Sequence, residues 1–128
     1  MKKVTLISYG IKNRPPMDVD VDINCRVLKN PHNVPELRDL TGLDLPVKEF
    51  VFKDPHFGVL KNTAVWAVTQ HGEDRVAFCC FGGRHRSVAV AEIVADYLRD
   101  EGYLVELQHL SLDADRMEAT GVRQAAGN

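Results

Sequence analysis

Nine consecutive residues hold most of the reactive chemistry of this chain: Cys79-Cys80-Phe81-Gly82-Gly83-Arg84-His85-Arg86-Ser87. Gly82 and Gly83 allow a close backbone approach to a ligand. Arg84 and Arg86 offer paired N–H donors that match a phosphate group. Cys80 supplies a sulfur nucleophile and Ser87 a hydroxyl beside it. Three readings are open: a catalytic loop, a loop that only holds an anion, and a glycine turn with solvated arginines.

The elements around this run decide where it sits. Arg75-Val76-Ala77-Phe78-Cys79-Cys80 reads as a short apolar strand. Ser87 to Glu101 reads as a helix, with Val90, Ile93, Val94, Tyr97 and Leu98 at helical spacing and Gly102 as its C-terminal stop. Tyr103 to Leu107 is then a strand. The run therefore lies where a strand ends and a helix begins. Free N–H groups and the helix dipole favour an anion at that point.

Upstream, Val4 to Ser8 reads as a buried strand ended by Gly10, and Asn13-Arg14-Pro15-Pro16 as a loop. Val19, Val21 and Ile23 alternate with Asp18, Asp20, Asp22 and Asn24, a half-solvated strand pattern. Asn30 to Val34 is a loop, and Thr41 to Pro46 is a turn before a helix over Val47–Phe52. Pro55 opens a further helix, closed by Gly72, with Phe57, Leu60, Ala64, Trp66 and Val68 on its inner face. Alternating strands and helices predict the α/β class: a mostly parallel sheet with helices on its faces and a phosphate-binding loop at a strand–helix junction. One domain is expected over residues 1–112, with 113–128 a weakly structured tail that frays at Ala125-Ala126-Gly127-Asn128.

The chain has 128 residues, 45% hydrophobic and 27% charged, enough to bury a core without staples. Its net charge of −2 gives no general attraction to polyanions. Residues 1–48 carry eight Lys/Arg against six Asp/Glu, so any basic face draws on Lys2, Lys3, Lys12, Arg14, Lys29 and Arg38. The three cysteines are read as reduced, because strand neighbours Cys79 and Cys80 point to opposite faces. No paired Cys/His spacing recurs, so neither a metal nor another cofactor is expected. The apolar part of Met1 to Ser8 is too short for a secretion signal and no segment can span a membrane, so a cytoplasmic location is expected.

Cys80, Gly83, Arg86 and Ser87 resemble the Cys-x-x-Gly-x-x-Arg-Ser/Thr phosphate loop of cysteine-dependent phosphatases. In that chemistry the thiolate attacks phosphorus, the arginine holds the phosphoryl oxygens and the hydroxyl helps the intermediate break down. A general acid is also required. Asp18, Asp20 and Asp22 are the candidates, and Cys79 stands where those enzymes carry His.

A wider match covers the chain from about Val4 to about Leu112. Ser8-Tyr9-Gly10-Ile11-Lys12, Met17 to Asp20, Arg26 to His32, Pro35 to Val47 and Gly82 to Val88 occur in order. Together they resemble the RapZ C-terminal domain family of RNase adapter proteins. The resemblance implies an α/β domain that binds an amino-sugar phosphate of the glucosamine-6-phosphate class. It also implies regulatory RNA or an RNA-processing protein as partner, and self-association into a homo-oligomer. By the same resemblance Cys80, Phe81, Gly82, Gly83, Arg84, His85, Arg86 and Ser87 form a phosphate cradle, with Arg26, Asn30 and His32 as a second wall. The chain departs from the family at Asn13-Arg14, where the family has His-Gly, and at Asn24, where it often has Asp. It lacks a Gly-x-x-x-x-Gly-Lys-Ser/Thr loop, so nucleotide hydrolysis is not expected of it.

A regulatory module binding a phosphorylated small molecule is the preferred function. A cysteine-dependent phosphatase using Cys80, Arg86 and Ser87, and an adapter gripping RNA backbone phosphate, are the alternatives. His56, His71 and His109 read as surface or structural residues, and Trp66 as core.

Overall fold

The computed structural model describes residues 2–119 except Asn13. Strands β1 (Lys3–Gly10), β2 (Asp22–Asn24), β3 (Arg75–Cys80) and β4 (Leu104–His109) form one sheet in the order β2-β3-β1-β4. Every neighbouring pair is parallel. The helices are α1 (Pro35–Arg38), α2 (Leu45–Phe52), α3 (Phe57–Thr69), α4 (Arg86–Asp100) and α5 (Leu110–Ala119). The expected α/β class and parallel sheet are what the structure has.

Side-chain alternation along the strands builds two cores. Val4, Leu6, Val76, Phe78 and Cys80 join the larger one, with residues of α2, α3 and α4. Tyr9, Ala77 and Cys79 form the smaller one on the opposite face, covered by Ile11, Met17, Val19 and Leu110. Cys79 and Cys80 thus point to opposite faces, as a strand requires. All three cysteines are free and buried.

Helix α4 is the packing centre. Val88 to Ala91, Val94, Ala95 and Leu98 are fully buried between the sheet and helices α2 and α3. Gly102 stops it at φ +92, and the Tyr103 N–H closes on the Leu98 carbonyl at 3.0 Å. A buried polar chain ties this helix to the sheet. Ser8 Oγ meets His109 Nδ1 at 2.7 Å, and His109 Nε2 meets Glu92 at 2.7 Å. Each ring nitrogen thus has a partner, and the Glu92 carboxylate accepts from Nε2–H. Ser8 is fully buried, so this Ser–His–Glu array joins β1, β4 and α4 rather than facing a substrate.

Three local expectations change. The alternating segment 18–24 is a strand only over Asp22–Asn24. The burial alternation persists, but Met17 and Val19 turn under the sheet to cover Tyr9 instead of pairing at its edge. Trp66 is 55% exposed and stacks on His71 with ring centroids 5.3 Å apart. It stands two positions from Ala64, on the far side of the helix from the Ala64, Ala67 and Val68 stripe. Helix α5 continues from β4 through Ala119, into the stretch read as a weak tail. Residues 120–128, with the frayed end expected at Ala125 to Asn128, lie outside the described residues.

Candidate functional site

The C-terminal ends of the two central strands meet at Gly10 and Cys80, which are paired in register. Open α/β sheets place ligands beyond such strand ends. Beyond β1, the N–H groups of Ile11 and Lys12 bond the carbonyls of Cys80 and Phe81, both at 3.0 Å. This holds the two outgoing loops side by side. Gly83, at φ +70, packs against the backbone of Tyr9 and Gly10 so closely that neither Gly83 nor Gly10 has room for a Cβ.

This tight turn wraps the loop around the Cys80 sulfur. Sγ accepts the Gly83 N–H at 3.3 Å and the Ser87 N–H at 3.5 Å, and lies 3.2 Å from Ser87 Oγ. Cys25 is sealed in the core, and burial pushes its thiol up.

A cleft of about 510 Å³ opens above the sulfur. Cys80, Phe81, Gly82, Arg84, His85 and Arg86 line it from the loop and the start of α4, and Asn30 and His32 from the facing 3₁₀ turn. Lys12 after β1 and Asp115 of α5 complete the rim. Arg86 is 8% exposed. Its Nη1 donates to the carbonyls of Arg26 at 3.2 Å and Leu28 at 3.1 Å. Among the described residues no hydrogen bond reaches its Nε or Nη2, and no carboxylate pairs with it. A buried guanidinium without a counter-charge calls for an anion.

His85 is also buried, and its Nε2 has no hydrogen-bond partner. Burial and the neighbouring Arg84 charge hold its pKa down. The carbonyls of Leu40, Arg38 and Leu37 pull weakly the other way, but none meets Nε2 in hydrogen-bond geometry. The imidazole is therefore neutral near pH 7, when it can donate from one nitrogen and accept at the other.

A family model described as the RapZ C-terminal domain matches residues 2–113. The chain belongs to that family. The RapZ-type relatives include the nucleotide-binding protein PM0169 of Pasteurella multocida (strain Pm70), 40% identical over 119 residues. A nucleotide-binding protein of Thermobifida fusca (strain YX) is also 40% identical over 119 residues. The matches cover 86% of this chain but only 41% and 40% of those proteins, so the chain spans about two fifths of their length.

Eight of the eleven residues expected at the site of this RapZ domain line the cleft. Gly83 and Ser87 lie beneath it and shape the sulfur's surroundings. Arg26 stands outside the lining. Its side chain donates from Nε to Asn24 Oδ1 at 3.1 Å, and its contribution to the cleft is the carbonyl that holds Arg86. Arg84 lines the cleft with its head held from one side: Nε and Nη2 donate to the carbonyls of Leu40 and Asp39 after α1, at 3.4 and 3.2 Å. Asn30 caps its turn by accepting the His32 N–H at 3.1 Å.

None of Asp18, Asp20 and Asp22 lines the cleft, and Asp22 accepts the Tyr9 hydroxyl on the other side of the sheet. The two lining residues that sequence reasoning left out of the site are Lys12 and Asp115. Lys12 follows β1 within a stretch that carries the family match, which was a usable signal. Asp115 sits in the supposed tail and had none. It comes over the cleft because Ser111, one helical turn earlier on the same face, accepts the Gly10 N–H at 2.9 Å.

Proposed function

We propose that this domain is a regulatory module whose cleft binds the phosphoryl group of a small phosphorylated metabolite. The observation that carries the reading is Arg86: nine-tenths buried, held by two carbonyls, facing a cleft and lacking a carboxylate partner. The N-terminus of α4, the neutral His85 and the Lys12 ammonium add donors around the same space. A volume of about 510 Å³ suits a sugar phosphate. The family resemblance points within that class to glucosamine-6-phosphate. Asn30 and His32 then face the sugar end.

Calorimetric titration with glucosamine-6-phosphate, glucosamine and inorganic phosphate tests this. Binding of both phosphates, with the sugar phosphate tighter and glucosamine silent, is the expected order. Equal binding of glucosamine and glucosamine-6-phosphate would refute the phosphate cradle.

The resemblance also points to RNA or an RNA-processing protein as the receiver of the bound state, and to self-association. An RNA grip through the cleft and its neighbouring lysines predicts affinity that falls steeply with ionic strength. A salt-independent RNA affinity would remove that partner.

A further inference from the structure

We infer that the cleft is also a phosphomonoester hydrolase site, with Cys80 as nucleophile and Asp115 as general acid. The inference rests on the phosphate-binding reading above, and adds bond-making to it.

The floor of the cleft has what phosphoryl transfer to sulfur needs. Cys80 Sγ lines the cleft, accepts the N–H groups of Gly83 and Ser87, and lies 3.2 Å from Ser87 Oγ, to which the thiol donates. It is 2% exposed, yet it lines the cleft, so a phosphorus atom can reach it only from that side. Arg86 is clamped through Nη1 alone, leaving Nε and Nη2 as a fork for two phosphoryl oxygens. The charge that collects on those oxygens in the transition state meets the guanidinium and the N-terminus of α4.

The missing part in the sequence was a proton donor for the leaving group. Asp115 is the only carboxyl group among the described residues that lines the cleft, and it is exposed at the rim while Cys80 is at the floor. A phosphate seated between them puts the sulfur and the carboxyl on opposite sides of phosphorus, as in-line displacement requires.

The balance is that of an ordinary phosphomonoester hydrolysis. The Cys80 thiolate lone pair forms an S–P bond as the P–O ester bond breaks, and the ester oxygen takes the Asp115 proton to leave as an alcohol. Water then attacks phosphorus and gives a proton to the Asp115 carboxylate. The S–P bond breaks, inorganic phosphate departs, and the Ser87 hydroxyl donates to the returning thiolate.

The test measures binding and turnover separately on the full chain. Inorganic phosphate is titrated into wild type, Cys80→Ser and Asp115→Asn. The same three proteins are given p-nitrophenyl phosphate and glucosamine-6-phosphate, and product release is followed. The expected result is phosphate binding by all three, turnover by wild type, and none by Cys80→Ser. Asp115→Asn slows glucosamine-6-phosphate, whose alkoxide needs a proton, by about 10²-fold or more. It slows p-nitrophenyl phosphate, whose leaving group is stable as an anion, far less. Binding without turnover in wild type overturns this inference and leaves the binding module standing. Absence of binding removes both. Turnover that persists in Cys80→Ser removes the nucleophile, and equal slowing of the two esters by Asp115→Asn removes the general acid.

Discussion

Arg86→Met is the most direct test of the binding site. The substitution keeps an unbranched side chain of similar reach and deletes the guanidinium. Two consequences follow from the geometry. For the ligand, Nε and Nη2 are the free donors, and hydrogen bonds from a charged group contribute about 1.5–3 kcal/mol each. Losing both weakens a phosphate ligand by about 3–6 kcal/mol, or roughly 10²- to 10⁴-fold in Kd. For the fold, the carbonyls of Arg26 and Leu28 lose their Nη1 donor, at about 1–3 kcal/mol each. Against that stands the several kcal/mol no longer spent on burying an unpaired cation. The two terms oppose, so the unliganded variant stays within about 2 kcal/mol of wild type. The assay is thermal unfolding with and without glucosamine-6-phosphate. A ligand at about 100 times its Kd stabilises wild type by about 2.7 kcal/mol. That raises Tm by roughly 5–10 °C for a chain of this size. The variant shows a near-native Tm alone and almost no rise with ligand. A full ligand-induced rise in Arg86→Met would refute the argument that the buried guanidinium awaits an anion.

Other perturbations separate the scaffold from the site. Gly83→Ala forces a Cβ into the Tyr9 and Gly10 backbone at a positive φ, so it should cost more than the about 1–2 kcal/mol of the left-handed conformation alone; urea unfolding measures it, and a neutral result would show the two loops are not interlocked. Glu92 is held below the usual carboxylate range, first by its hydrogen bond from His109, so its contribution is present above the unfolded carboxyl pKa and lost as pH falls through the lower folded value. Glu92→Gln should therefore destabilise by about 1–3 kcal/mol at neutral pH, with the difference from wild type narrowing below about pH 4. A constant difference across that range would contradict the pairing. Trp66→Ala should cost less than about 2 kcal/mol, since the side chain is 55% exposed and stacks on His71 at the surface; the wild-type indole should fluoresce as a largely solvated one, and a strongly blue-shifted emission would place it elsewhere.

Several features of the site were legible because they depend on neighbours in the chain. The strand over Arg75–Cys80 and the helix from Arg86 onward follow from short apolar periodicities, and their junction is a property of nine adjacent residues. The opposite faces of Cys79 and Cys80 follow from the two-residue repeat of a strand alone. The stop at Gly102 needs only a residue that accepts positive φ. Among the described residues no helix is long and apolar enough to cross a membrane, which the hydropathy of the chain already required.

The sequence by itself determined the order of these elements, the α/β class and the place of the glycine-arginine loop between β3 and α4. Which groups surround the cleft above that loop was decided only in three dimensions. Asp115 reaches the cleft because Ser111 anchors α5 to Gly10, a contact across 101 positions. Arg86 faces the cleft because carbonyls some 60 positions earlier hold one of its nitrogens. Arg84, chemically its equal, is turned to the end of α1 by the carbonyls of Asp39 and Leu40. Local periodicity records which side of an element is buried, and carries no information about which distant backbone atom will capture a long polar side chain. Two arginines two residues apart can therefore read alike and act differently.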